Sequence, residues 1–262
     1  MSEGSVPLRL ASPQVICDNL QELSELKDLG HRLYLAGENV LAFKTRYLLD
    51  LFRLIKSYLP GVNEFAMYGR ANDVARKSDD QLAQLKAAGL DTVYVGVESG
   101  NPTILKDCKK GVTPQTIVTQ LHRLDATGIH YGLSSILGLG GTSMWRENAI
   151  DTAKLYRQVS PKSIRVMTVT AWEGTPLAAA VLAGTFVIPS SKQILMEEQL
   201  FLKTLEGVSP CRFVGNHVSN PLPLVGDLPQ DFPRLHETLA QAIESMGDAN
   251  VGKEKILTEN DW

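Results

Sequence analysis

A short β-branched or aromatic run, a turn and an amphipathic stretch recur along the chain. Ser12 and Pro13 form an N-cap and first-turn pair. Ile16, Leu20 and Leu23 follow at helical spacing, so a helix is expected over 12–29, closed by Gly30. "RLYLAGE" predicts a strand and "TRYLLDLFRLIKSYL" a helix, with Leu48, Leu51, Phe52, Ile55 and Leu59 on one face until Pro60-Gly61 ends it. "EFAMYGR" is a second strand, and "DDQLAQLKAAG" a short helix with Gly89 just past its end. "TVYVGVES" is a continuous apolar run, the mark of a strand covered on both faces. The helix "PQTIVTQLHRLDATG" carries Ile117, Leu121 and Leu124. After it, "IHYGLSSILGLGG" leads a strand into a glycine-rich turn, and "MWRENAIDTAKLYRQV" returns as a helix. "SIRVMTVTAWEGTPL" then predicts a strand, "SKQILMEEQLFLKTLEG" a helix and "CRFVGNHVSN" a last strand.

Strands alternating with helices call for parallel pairing through right-handed crossovers. Five or six strands are expected, in an α/β partial barrel or open parallel sheet with helices outside. That unit covers residues 1–207. Residues 208–230, rich in Pro, Gly and Asn, read as a connection to a final helix, so 208–246 form a C-terminal extension and 247–262 a polar tail. Composition is that of a globular domain, with 44% hydrophobic and 21% charged residues over 262 positions. A net charge of −3 gives no electrostatic case for nucleic acid or a membrane surface. The N-terminal "MSEGSVPLRL" lacks an apolar h-region, and no apolar run reaches membrane-spanning length. A cytoplasmic protein acting on a small molecule is expected. Cys17, Cys108 and Cys211 are too dispersed for a metal cluster and read as reduced thiols, and the five histidines lack helical metal-pair spacing, so no metal ligand is expected.

In parallel βα architectures ligands sit at the carboxyl ends of the strands. The five ends read "LAGEN", "YGRAND", "GVESGN", "LGLGGT" and "TAWEGTP". Taken singly, a strand-end Gly is turn chemistry and a Glu there caps the next helix. Taken together, two glutamates and an arginine on one rim suit a ligand with ribose hydroxyls, an amine and a carboxylate. "GLGGT" does not fit a dinucleotide fingerprint. Two other readings stay open. One is a non-redox βα-barrel enzyme cradling a phosphorylated small molecule on "GLGGT", with Glu38, Glu98 and Glu173 as acids; the other is a non-catalytic binding protein. His217 and Asn220 in "NHVSN" suit either substrate contact or a loop-stabilising network.

The stretch "LAAGLDTVYVGVESGNPTILKDCKKGVTPQTIVTQLHRLDATGIHYGLSSILGLGG" resembles the middle of a radical S-adenosylmethionine (radical SAM) enzyme. The similarity is greatest to the group of oxygen-independent coproporphyrinogen dehydrogenase and the elongator-type radical proteins. It rests on Gly96, Glu98, Ser99, Gly100, Leu105, Lys110, Gly111 and Thr113, and runs from about residue 12 to about 240. The resemblance implies S-adenosylmethionine as cofactor and its reductive cleavage to a 5′-deoxyadenosyl radical. It implies that Gly37 and Glu38 hold the methionyl amine and that Glu98 accepts from the ribose hydroxyls. Ile136 and Gly138 would present backbone to the adenine, with Ser134 and Arg70 as further polar contacts. Here Ala36 and Asn39 depart from the family's Gly-Gly-Glu-Pro element. The family's C-x-x-x-C-x-x-C loop, which binds a [4Fe–4S] cluster, is not in this sequence, so its ligands are absent from this chain. The expectation is a fragment, with the first strand and that loop upstream of Met1, or a degenerate member without its own cluster.

Overall fold

The computed structural model describes residues 11–26, 30–37, 39–246 and 256–258. Its elements alternate as the patterning requires: α1 (Pro13–Ser24), β1 (Arg32–Leu35), α2 (Thr45–Tyr58), β2 (Glu64–Gly69), α3 (Ala71–Ala75), α4 (Asp79–Ala87), β3 (Leu90–Glu98), α5 (Pro102–Asp107) and α6 (Pro114–Thr127). Then come β4 (His130–Leu137), α7 (Trp145–Tyr156), β5 (Ser163–Thr168), α8 (Pro176–Leu182), α9 (Ser191–Leu205), β6 (Cys211–Gly215), β7 (Leu224–Leu228) and α10 (Phe232–Ser245). The seven strands form one sheet in chain order, with β1 and β7 as its ends. The pairs β1–β2, β2–β3 and β5–β6 are parallel, and β6–β7 is antiparallel. No helix among the described residues is long and apolar enough to cross a membrane.

The chain divides into two compact units: Val6–Gly96 with Thr119–Gly132, and Val97–Val118 with Leu133 onward. In the first, β1 and β2 pair Tyr34 with Ala66, and β2 and β3 pair Tyr68 with Tyr94. One face of these strands is covered by α2, whose Leu48, Phe52 and Ile55 are buried, and Phe52 stacks on Phe65 with ring centroids 4.1 Å apart. Burial of such side chains stabilises by about 1.5–3 kcal/mol each, so the α2 stripe alone holds this helix in place. The opposite face carries Tyr34, Tyr68 and Tyr94, one per strand, with centroids 5.8–6.0 Å apart.

In the second unit β5 and β6 pair in parallel, Ile164 opposite Phe213, and β6 and β7 form an antiparallel pair, Phe213 opposite Gly226. The stretch 208–230, expected as a connection holding one last strand at "CRFVGNHVSN", therefore contains two. The strand β7 escaped the sequence pattern because it is five residues long and flanked by Pro221, Pro223 and Pro229. Prolines are tolerated beside it because it lies at an end of the sheet. The first helix is also shorter than expected, ending at Ser24 with Glu25 as its cap. Residues 208–246 belong to the same compact unit as β5 and α9. Most of the polar tail lies outside the described residues, but Leu257 pairs with Trp172.

Candidate functional site

The second unit contains the tips of β3 and β4. Glu98, the last residue of β3, has φ +68, a left-handed conformation that costs a non-glycine residue on the order of 1 kcal/mol or more. Its Oε1 accepts from Lys110 Nζ at 2.7 Å, with both side chains only about a tenth exposed (11% and 10%). Lys110 is delivered by the end of α5, where Lys109 turns through φ +53 and the Lys110 N–H closes on the Leu105 carbonyl. The loop after Glu98 is fixed just as tightly. Ser99 Oγ donates to Asn148 Oδ1 at 2.6 Å and accepts from the Asn101 N–H, while the Gly100 N–H donates to Thr152 Oγ1 at 2.7 Å. Gly100 is required here: a Cβ would lie 2.3 Å from the Asp151 carbonyl oxygen. Asn101 then caps α5, accepting from the Thr103 and Ile104 N–H groups.

The tip of β4 is held by the same helix, α7. Asn148 Nδ2 donates to the Ile136 carbonyl at 3.0 Å and to Glu197 Oε1 at 2.7 Å, and Glu197 Oε2 accepts from the Gly138 N–H at 2.9 Å. Asn148 is 3% exposed and Glu197 fully buried. One buried chain of polar contacts thus runs from the β3–α5 loop through α7 and α9 to the end of β4. Its consequence is that the Gly138 N–H and Ile136 carbonyl, the backbone expected to meet adenine, already have protein partners. Ser134 and Ile136 lie half-buried on the face of β4 opposite Leu133 and Leu137, and no protein partner of the Ser134 hydroxyl exists among the described residues.

Burial pushes Glu197 up to about 8, against the donors Asn148 and Gly138, which favour its charged form. Its neighbour Glu198 is also raised to about 8 by burial and then by the Glu197 carboxyl, and neither of its oxygens has a partner. Of the two, Glu197 is the better home for a negative charge, because two donors already point at it. Sequence reasoning missed this pair, and it also missed the contacts of Lys110 and Asn148. A signal was present: Glu198 falls on the stripe of Ile194, Leu195, Phe201, Leu202 and Leu205, where an apolar residue belongs.

In the first unit, Gly37 (φ +130) follows β1 and Arg70 follows β2, the adjacent parallel strand, in which Leu35 pairs with Met67. Arg70 is exposed, and its backbone N–H donates to Asp73 Oδ2. Glu38 lies outside the described residues. The cysteines make no metal site: Cys17 is half-buried, Cys108 exposed and Cys211 buried, its thiol pushed up to about 11 by desolvation. No group of three His, Cys, Asp or Glu side chains is placed to hold a metal ion among the described residues. Asn220 clips the ends of β5 and β6 together, donating to the Val166 and Gly215 carbonyls and accepting from Thr168 Oγ1.

Comparison with known proteins gives these likenesses. The family model described as "Radical SAM superfamily" matches residues 4–153. An uncharacterized methyltransferase of Pyrococcus horikoshii, PH0819, is 29% identical over 104 residues, which are 40% of this chain and 22% of that protein. Among solved structures, Elp3 of the archaeon Methanocaldococcus infernus superposes with a TM-score of 0.59 at 15% identity, covering 87% of this chain and 57% of that one. Coproporphyrinogen III oxidase of Escherichia coli, described as a radical SAM enzyme, gives a TM-score of 0.53 at 18% identity, covering 67% and 40%. This chain thus spans about a fifth of the Pyrococcus protein and just over half of the Elp3 chain.

Proposed function

The chain belongs to the radical SAM superfamily, and from that premise we propose that the strand tips of its second unit bind the adenosyl part of S-adenosylmethionine. Glu98 accepts from the two ribose hydroxyls, a geometry that one carboxylate suits and a neutral side chain does not. The observation that carries this reading is the conformation of Glu98 itself. A non-glycine residue held at φ +68 on a strand tip, ion-paired at 2.7 Å and braced from behind, is strained for a reason other than packing. Lys110 ion-pairs with the carboxylate and adds a cation able to meet a carboxylate of the ligand. Ser134 and the open face of β4 supply the wall beside it.

In the superfamily a [4Fe–4S] cluster supplies the electron that cleaves S-adenosylmethionine. The residues of this chain do not fit that group, because three cysteines separated by 90 residues or more cannot form a C-x-x-x-C-x-x-C triad. No reductive step is therefore assigned to these residues. Methyl transfer, the activity in the Pyrococcus relative's name, would also use a held S-adenosylmethionine. Phosphate binding on "GLGGT" loses support. The N–H groups of Gly138, Gly141, Thr142 and Met144 already donate to Glu197, Gly138, Val187 and Gly140, so these four are not free to cradle an anion.

Calorimetric titration with S-adenosylmethionine and S-adenosylhomocysteine tests the proposal. Saturable binding of both, weakened at least tenfold in Glu98→Ala, is expected. Equal binding by wild type and Glu98→Ala, or no binding by either ligand, refutes it. Iron and sulfide measured after anaerobic reconstitution should stay near background.

A further inference from the structure

His217, just past the carboxyl end of β6, is held by more contacts than a surface imidazole needs. The Ser219 N–H donates to His217 Nδ1 at 3.2 Å, and Ser219 Oγ lies 2.8 Å from the same nitrogen. Ser219 Oγ also accepts from the Thr168 N–H at 3.0 Å, so its own hydrogen is available for Nδ1. The Asn220 N–H closes the turn on the His217 carbonyl at 2.9 Å, and the Asn220 side chain anchors that turn to β5 and β6.

These contacts decide the tautomer. A backbone N–H can only donate, so Nδ1 must be the acceptor, and the proton of the neutral ring sits on Nε2. The Nε2–H has no protein acceptor among the described residues, and the atom is not sealed from solvent. The two strands to which this turn is anchored also carry an exposed cation. In β5 and β6 the buried residues Ile164, Val166, Cys211 and Phe213 face one way, and Arg165 and Val214, which pair across the strands, face the other. Arg165 is exposed and has no acidic partner among the described residues.

We propose that His217 is a ligand-binding residue, a fixed Nε2–H donor that, with Arg165, takes the oxyanion of a small molecule, a carboxylate or a phosphate. This goes beyond the adenosyl reading and does not depend on it, because it uses the turn after β6 and a residue of β5 rather than β3 or β4. A purely loop-stabilising histidine would use Nδ1 alone, and that difference can be tested by substitution. Asparagine reproduces the Nδ1 acceptor and lacks Nε2, whereas glutamine places an amide near Nε2 and lacks the Nδ1 acceptor.

The probes are trifluoroacetate, followed by 19F line broadening, and inorganic phosphate, followed by 31P broadening, with tetramethylammonium as the cation control. Wild type is expected to bind one of the two anions saturably, which distinguishes carboxylate from phosphate, and to ignore tetramethylammonium. His217→Asn should melt like wild type yet bind that anion at least tenfold more weakly. Arg165→Gln should weaken it about fivefold or more, with an unchanged melt. Long-range 15N–1H spectra of the imidazole, assigned by difference from His217→Asn, should show the proton on Nε2. Absence of broadening with both anions overturns the proposal. So does an Asn variant that binds as wild type while the Gln variant is the defective one, since that pattern assigns the ring to loop support.

Discussion

Replacing Asn148 with alanine removes the centre of the buried polar chain. Three side-chain bonds disappear together: to Ile136, to Glu197 and from Ser99. A neutral hydrogen bond contributes about 0.5–1.5 kcal/mol and one to a charged group about 1.5–3 kcal/mol, so the loss is larger above about pH 8, where Glu197 is ionised. With a carboxyl, a carbonyl and a hydroxyl all left buried, Asn148→Ala should cost about 3–5 kcal/mol of stability. Urea unfolding gives the measurement, as a lower midpoint with an unchanged slope. The origin of the loss is checked by a double-mutant cycle with Glu197→Gln, which keeps the shape of Glu197 but turns one oxygen into a donor facing the Gly138 N–H. A coupling of about 1 kcal/mol or more between the two sites is expected, because they share a bond. Faster amide exchange at Gly138 should accompany both single variants. A loss under about 1 kcal/mol in Asn148→Ala, or strict additivity in the cycle, would refute the view that one network braces both strand tips.

Three further outcomes follow from the same geometry. Glu197 and Glu198 are raised in the folded state from 4.5 to about 8, so the folded protein holds protons that the unfolded chain releases between those values. Stability should therefore fall as pH rises from about 4.5 to about 8 and level off above, and Glu198→Met, which removes a buried carboxyl with no partner, should flatten that slope and stabilise at pH 8 by about 1–4 kcal/mol. Gly100→Ala should cost roughly 3 kcal/mol or more, measured by thermal melting, because its Cβ meets the Asp151 backbone rather than a side chain that could swing away. The double variant Glu98→Gly with Lys110→Met should melt within about 1 kcal/mol of wild type, since the strained backbone is relieved and no buried charge is left alone, yet fail to bind S-adenosylmethionine. A large stability loss in that variant would assign the Glu98–Lys110 pair to the fold instead.

Periodicity alone determined the alternation of strands and helices, because each βα unit must bury one face and shows this every two or every three to four residues. Strand ends were legible for the same reason: "GVESGN" breaks an apolar run with an acid, and only a strand tip tolerates that. The resemblance around Glu98 and the missing cysteine triad could be read directly, since both are local in sequence. Only the tertiary structure decided what those tips touch. Lys110 meets Glu98 because a left-handed turn at Lys109 points it back, and Asn148 and Glu197 reach β4 from helices 12 and 59 residues away from their backbone partners. The strand β7 likewise exists by pairing with β6, not by its own pattern. Hydrogen bonds between distant segments leave no period in a sequence, whereas burial does, and that is why the scaffold could be read and the bracing of its site could not.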